Sequence, residues 1–174
     1  MISEIDALMR SSLTSLVEDV SAADWTGRRE REIVSLFCFG RLVRHCRPGA
    51  FSHDPTQIAI EVAVPQVDRQ TRLSGNAGSK GQVCKDIVLW PRSRLTCWDA
   101  TGAPTVMPAS VIEWKHGVTE WSGRGVEWLM EFSTRSGDFV GYAVWINRGS
   151  THAGRLMCTR VHQGQAERRW MAME

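Results

Sequence analysis

Apolar and polar residues alternate along the chain with two different periods, which predict where helices and strands lie. From residue 2 to 20, apolar residues recur every three or four positions, which is the spacing of an amphipathic helix. The segment from 27 to 45 repeats this spacing, and Pro48 and Gly49 follow as helix terminators. The first quarter of the chain is therefore predicted to form two consecutive helices.

Shorter segments with a period of two come next, and they predict strands. Residues 57–64 read QIAIEVAV, so the large side chains at the even positions should share one face, opposite Glu61. The further predicted elements are strands at 85–90 and 109–115, a helix at 123–136, a strand at 138–147 and a last strand within 153–163. The tryptophans inside these periodic segments, which we expect in the core, are Trp90, Trp114, Trp128 and Trp145.

The order of these elements predicts an α/β fold with a mixed sheet. Three consecutive strands can form an antiparallel meander, and the later helix permits a crossover to a parallel fourth strand. A length of 174 residues suits a single domain. Within it we distinguish an N-terminal helical extension (1–24), a core (27–147) and a C-terminal strand and tail (148–174).

Composition and charge exclude several classes of protein. Apolar residues make up 43% and charged residues 23%, which argues against wholesale disorder. The net charge of +2 allows only a local basic surface. Five cysteines without a C-x-x-C pair and five scattered histidines favour reduced thiols and disfavour zinc. No uncharged apolar run approaches the roughly 20 residues of a membrane span, and the N-terminus lacks a signal-peptide pattern, so we expect a soluble, cytoplasmic protein.

The strand predicted at 109–115 carries the charges that suggest a function. Because side chains alternate across a strand, Glu113 and Lys115 should share one face while Trp114 points to the other. If the strand at 85–90 pairs with it antiparallel, Asp86 lies beside them. Two adjacent carboxylates repel each other unless a cation neutralises them, and Mg²⁺ binds one or two carboxylates together with water and phosphate oxygens.

This constellation predicts phosphodiester hydrolysis assisted by Mg²⁺ or Mn²⁺. The ion would neutralise charge in the transition state, and Lys115 would orient or help to deprotonate the attacking water. Asp86 and Glu113 are the expected metal ligands, and the backbone carbonyl of Trp114 could also face the ion.

These residues resemble the signature of the PD-(D/E)XK, or restriction-endonuclease-like, nucleases, in which an Asp opens one strand and an E-x-K lies on the next. The corresponding residues are Asp86 and Glu113-Trp114-Lys115. The resemblance implies an αβββαβ restriction-endonuclease-like core, to which this chain adds an N-terminal helix and a C-terminal strand. It also implies DNA as the usual substrate and leaves endonuclease and exonuclease activity both open.

The resemblance further implies an additional Glu from the first core helix, for which Glu30 and Glu32 are both candidates. Two features depart from the family pattern. Lys85 occupies the position where the short signature has Pro, and a long segment with three prolines separates Asp86 from Glu113.

Other interpretations stay open from the sequence alone. The charges could form an ion cluster at a sheet edge, or the fold could bind nucleic acid or a partner protein without cutting it. In the long segment 65–85, the cations that could contact a nucleic-acid backbone or simply be solvated are Arg69, Arg72 and Lys80. Glu61 could replace the helix Glu, although a cross-strand partner is its expected role. A homodimer or a partner protein could supply targeting.

Overall fold

The computed structural model describes residues 1–22, 29–67, 81–116, 123–148 and 154–173. The helices in these ranges are α1 (Ile2–Ala22), α2 (Glu30–Gly40) and α3 (Arg124–Ser133), with short 3₁₀ turns at Leu42–His45 and Pro55–Gln57. The strands are β1 (Ile58–Pro65), β2 (Gln82–Leu89), β3 (Ser110–His116), β4 (Val140–Arg148), β5 (Gly154–His162) and β6 (Gln165–Met173). None of the helices described is both long and apolar enough to cross a membrane.

A mixed six-stranded sheet organises the fold, in the order β1-β2-β3-β4-β5-β6. The first three strands form an antiparallel meander. The chain then passes through α3 to β4, which is parallel to β3, and β5 and β6 continue antiparallel. The predicted mixed α/β sheet, its meander and its crossover are thereby confirmed.

Helices cover both faces of the sheet and create two hydrophobic layers. One layer, between the sheet and helices α1 and α2, contains Ile33, Phe37 and Trp114. The other, between the sheet and α3, contains Trp90 and Trp128. We call them the α1/α2 layer and the α3 layer. The four tryptophans predicted for the core are all at most 8% exposed.

A partly buried polar contact fixes α1 to the sheet in addition to its apolar stripe. Oδ1 of Asp6 accepts hydrogen bonds from the hydroxyl of Tyr142 (2.5 Å) and from Nε of Arg160 (2.7 Å). Burial, followed by the hydrogen bond and negative charge of Asp6, raises the pKa of Tyr142, so this phenol stays protonated. The guanidinium of Arg10 also lies 3.9 Å from the ring centroid of Trp170. Helix α1 is therefore part of the helical layer that packs against this face of the sheet.

Helix α3 approaches β4 closely at Gly141. A Cβ atom at this position would lie 2.7 Å from Cδ2 and 3.3 Å from Cβ of Leu129, which is fully buried. Gly141→Ala is therefore expected to lower the free energy of unfolding in urea by about 1–3 kcal/mol. Gly137→Ala is the matched control, because a Cβ there would meet nothing within 4 Å. Equal losses in the two variants would contradict the close approach.

The predicted bounds of two elements are wrong. The second helix ends at Gly40 and continues only as a 3₁₀ turn, whereas a single helix was predicted over 27–45. Strand β2 begins at Gln82, so the strand takes up the last residues of the segment predicted as a loop. The early part of β2 alternates weakly because Val83 and Lys85, rather than two apolar residues, occupy its inner positions.

The structure also contains a strand, β6, where a tail was predicted. Its sequence QAERRWMAM has consecutive charges instead of an alternating pattern, so the period of two is hidden. β6 is an edge strand, and its register against β5 shifts between Cys158 and Arg160. Arg169 has a positive φ of 55°, which accommodates this irregularity.

Strands β1 and β2 exchange their faces midway, which the sequence period did not predict. Ile58 and Ile60 pack against the α1/α2 layer, whereas Val62 and Val64 belong to the α3 layer. The backbone reason is Glu61, whose φ of 53° rotates the strand. In the register the neighbouring pairs are Ile60 with Ile87 and Val62 with Lys85, and the pair between them, Glu61 with Asp86, is skipped. The prediction that all four even positions share one face is therefore wrong.

Candidate active site

Asp86 lies where β2 and β3 stop pairing with each other. The antiparallel pairing between these strands begins with Ile87 opposite Ile112 and continues along β2 away from Asp86. Beyond it, Oδ2 of Asp86 accepts a hydrogen bond of 2.7 Å from the backbone N of Trp114. The side chain thus replaces the missing backbone bond and holds a carboxylate beside the E-x-K segment. This is the proximity that antiparallel pairing predicted.

Glu113 faces α3 and forms a buried ion pair with Lys85. Its Oε1 accepts a hydrogen bond from Nζ of Lys85, and the two side chains are 12% and 5% exposed. The ammonium also lies 3.6 Å from the ring centroid of Trp128. Burial raises the pKa of Glu113 and lowers the pKa of Lys85, while the contact between them favours the ionised forms. Asp86 is close enough that its charge also raises the pKa of Glu113.

Lys115 extends from the same strand to the first turn of α2. Its Nζ donates a hydrogen bond of 2.6 Å to the backbone carbonyl of Trp114 and lies 3.3 Å from Oε1 of Glu30. The two side chains are 39% and 36% exposed, so the ammonium remains accessible to solvent. The contacts of Glu113 and Lys115 thus differ from the predicted common face. Glu113 enters the α3 layer, whereas Lys115, two residues further along the same strand, reaches α2.

The two candidate acids of α2 have different contacts. Glu30 approaches Lys115, as described above. Glu32 turns back along the helix, where its Oε2 accepts a hydrogen bond of 3.3 Å from the backbone N of Arg29. This is the reciprocal contact of a helix N-terminus, which satisfies a backbone donor that has no partner within the helix. The geometry therefore associates Glu30 with the cluster and gives Glu32 a capping contact.

A cavity of about 540 Å³ opens beside this cluster, between α2 and the ends of β1 and β2. Its lining includes Glu30, Glu61, Cys84 and Asp86. Oε1 of Glu61 lies 2.7 Å from Nε of Arg31, so its partner is on the helix and not on the neighbouring strand as expected. The strained backbone of Glu61 turns this acid towards the cavity.

The oxygen atoms of the cluster are of the kind that Mg²⁺ binds. The described residues contain no group of three or more His, Cys, Asp or Glu side chains placed to hold a metal. Two carboxylates with a carbonyl are nevertheless sufficient for an ion that keeps several waters. Within the described part of the chain, no residue donates a hydrogen bond to Oδ1 of Asp86 or Oε2 of Glu113. Asp86, Glu113 and the carbonyl of Trp114 therefore have the donor chemistry that a hard cation requires.

Lys85 was missed as a member of this cluster. Its only signal was a lysine inside an otherwise apolar strand, at a position where the family signature has Pro. The cations predicted to contact nucleic acid, Arg69, Arg72 and Lys80, lie outside the described residues. Their contribution stays a prediction.

Cys84 provides a chemical probe of this acidic cavity. All five cysteines are free thiols, and Cys84 is exposed. Partial burial, then the charges of Glu61, Asp86 and Glu113, raise its pKa. We expect Asp86→Asn to increase the rate of Cys84 alkylation at pH 8 by about two- to threefold, because a lower pKa yields more thiolate.

Peptide mapping after brief iodoacetamide treatment measures this rate. Asp138→Asn, which removes an exposed carboxylate before β4, is the control and should leave the rate unchanged. A rate in Asp86→Asn equal to the wild-type rate would contradict the electrostatic coupling between Asp86 and Cys84.

The resemblance to the PD-(D/E)XK nucleases rests on Asp86, Glu113 and Lys115 and on the order of the surrounding elements. No protein-family model, curated protein or solved structure matches the chain.

Proposed function

We propose that this protein is a metal-dependent nuclease of the PD-(D/E)XK type that hydrolyses phosphodiester bonds, with DNA as its substrate. One observation carries the proposal: the carboxylate of Asp86 is hydrogen-bonded to the backbone between Glu113 and Lys115, at the point where β2 and β3 separate. The order α2-β1-β2-β3-α3-β4 supports a restriction-endonuclease-like core.

Asp86 and Glu113 would hold the divalent ion, with the backbone carbonyl of Trp114 as a third oxygen ligand. Such an ion supplies neutralisation of the negative charge that develops on a phosphodiester during hydrolysis. Mg²⁺ suits these ligands because it binds hard oxygens and retains waters, and Mn²⁺ accepts the same set. The protein would contribute one carboxylate from each of two neighbouring strands, Asp86 from β2 and Glu113 from β3.

Lys115 would orient the attacking water and assist its deprotonation. Its ammonium is half-exposed and held by two contacts, one to the carbonyl of Trp114 and one to Glu30. These contacts restrict the long side chain, and restriction reduces the entropy lost when a reacting group is positioned. Glu30 would thus act as a positioning residue through Lys115.

The proposal is tested by incubating the purified wild-type protein with supercoiled plasmid, linear duplex, single-stranded DNA and RNA. Cleavage of at least one DNA substrate is expected in Mg²⁺ or Mn²⁺, and chelation by EDTA should abolish it. A chain that cleaves none of the substrates with either metal would overturn the proposal. Cleavage that persists in EDTA would overturn its metal dependence.

A second function, a catalytically inactive module that binds nucleic acid or a partner protein, is favoured by the Lys85 contact. Lys85 already neutralises Glu113, so the pair is satisfied without a metal. Calorimetry distinguishes the two functions. If the wild-type protein binds DNA but takes up no Mn²⁺ even with DNA present, the inactive module is the correct description.

A further inference from the structure

We propose that Lys85 is a resident cation of the candidate metal site, which holds Glu113 in place and competes with the divalent ion for it. This inference rests on the proposed nuclease function and concerns the regulation of the same site. It assigns a role to a residue that is outside the D…E-x-K signature.

The exchange of faces within β2 is what brings Lys85 into the site. In a regular strand, Lys85 would share a face with Ile87, which packs in the α1/α2 layer. The register is interrupted at Asp86, and Lys85 instead enters the α3 layer beside Trp128. The irregularity that presents Asp86 to the cavity therefore also delivers an ammonium group to Glu113.

The environment of Lys85 holds its ammonium in one position. The side chain is 5% exposed, its Nζ donates a hydrogen bond to Oε1 of Glu113, and the ring centroid of Trp128 lies 3.6 Å from the same Nζ. A cation over an aromatic face is stabilised further when it is shielded from water. Lys115, by contrast, is half-exposed and directed to α2. The two lysines are therefore not equivalent, and only Lys85 occupies a ligand oxygen of Glu113.

A second cation at Glu113 must overcome this charge. When all are ionised, the carboxylates of Asp86, Glu113 and Glu30 and the two ammonium groups leave the cluster with one net negative charge, and loss of Lys85 would leave two. Charges separated by a few ångströms interact strongly in partly buried surroundings. Lys85 should therefore stabilise the metal-free protein and weaken metal binding. A purely structural lysine would have the first effect without the second.

Calorimetric titration with Mn²⁺ tests this role in the full-length protein. We expect Lys85→Met and Lys85→Gln to bind Mn²⁺ about tenfold or more tightly than the wild type. Both variants should have a lower Tm without metal and a larger Mn²⁺-induced rise in Tm. The Gln variant can still donate a hydrogen bond to Glu113, so it remains informative if the Met variant does not fold. Lys85→Arg retains the charge and should bind Mn²⁺ as the wild type does.

Arg31→Met is the matched control for loss of a positive charge near the cavity. Arg31 pairs with Glu61 but is 82% exposed, so solvent screens it and its loss should change Mn²⁺ affinity much less. Unchanged or weaker Mn²⁺ binding by both neutral Lys85 variants, with a wild type that binds Mn²⁺ and cleaves DNA, would overturn this inference alone. Absence of Mn²⁺ binding in every protein would overturn the nuclease proposal together with it.

Discussion

Replacing Lys115 by methionine should lower the rate of Mg²⁺-dependent DNA cleavage by about 10²–10⁴-fold, the range typical for loss of a positioned acid–base group. The ammonium lies 2.6 Å from the carbonyl of Trp114 and 3.3 Å from Glu30, so it is fixed beside the proposed metal ligands. Methionine has a similar length and no charge. The change should reduce the single-turnover rate while leaving the Tm nearly unaffected, because exposed ion pairs contribute little to stability.

Arg135→Met is the control for this experiment. Arg135 is 42% exposed, and its guanidinium lies 3.9 Å from the half-exposed Glu131 and donates a hydrogen bond to the carbonyl of Val67. Its surroundings therefore resemble those of Lys115, but it lies two residues beyond the end of α3. Its variant should cleave DNA at the wild-type rate. Wild-type activity in Lys115→Met, or equal losses in both variants, would contradict the assigned role of Lys115.

The largest effect on stability is expected for Glu113→Ala. This change leaves Lys85 buried without its carboxylate, and breaking a buried ion pair in this way costs about 3–5 kcal/mol. Denaturant unfolding at pH 7 measures the loss. Because burial already lowers the pKa of Lys85, removal of Glu113 should lower that pKa further. A lysine whose pKa is depressed in the folded state destabilises it at low pH, so the variant should regain stability as the pH rises towards about 10.4, the ordinary lysine pKa.

A double variant separates the ion pair from the packing around it. Lys85→Met combined with Glu113→Ala removes both charges, and it should recover a substantial part of the stability lost in the single variant. Glu131→Ala breaks an exposed pair with Arg135 and should cost at most about 1 kcal/mol. A double variant less stable than Glu113→Ala would show that the Lys85 side chain stabilises the fold through contacts other than its charge.

Much of the fold follows from the hydrophobic pattern because burial of apolar side chains sets the elements. The stripe of α1 includes Ile5, Met9 and Leu13, which are fully buried, and β3 shows the predicted alternation of Val111 and Ile112 between two layers. The elements predicted in the middle of the chain also lie in the expected order. The mixed sheet could therefore be predicted from the spacing of apolar residues along the sequence.

The parts that could not be predicted are those where the backbone departs from regular geometry. Nothing in the period of QIAIEVAV indicates that Glu61 adopts a φ of 53° and exchanges the faces of β1. For the same reason the alternation in β2 did not place Lys85 beside Glu113. In β6, consecutive charges hid an edge strand that lies next to β5.

In the candidate site, too, the sequence pattern predicted one feature, whereas another depends on local side-chain geometry. The period of two with antiparallel pairing predicted that Asp86 would approach the E-x-K segment, and the hydrogen bond to Trp114 agrees with that prediction. The choice between Glu30 and Glu32 could not be made, because both are in the first turn of one helix. It depends on which side chain turns back to the backbone N of Arg29 and which extends towards Lys115.

The most direct test of the nuclease proposal is the rate of plasmid cleavage by wild type and Asp86→Asn as a function of Mg²⁺ concentration. Asparagine retains an oxygen that can accept the hydrogen bond from Trp114, so the strands should remain in place while the charge is lost. The wild-type rate should rise with Mg²⁺ and reach a plateau, and the variant should stay at background throughout. A wild type that cleaves no DNA, or a variant that follows the wild-type curve, would contradict a metal-dependent nuclease centred on Asp86.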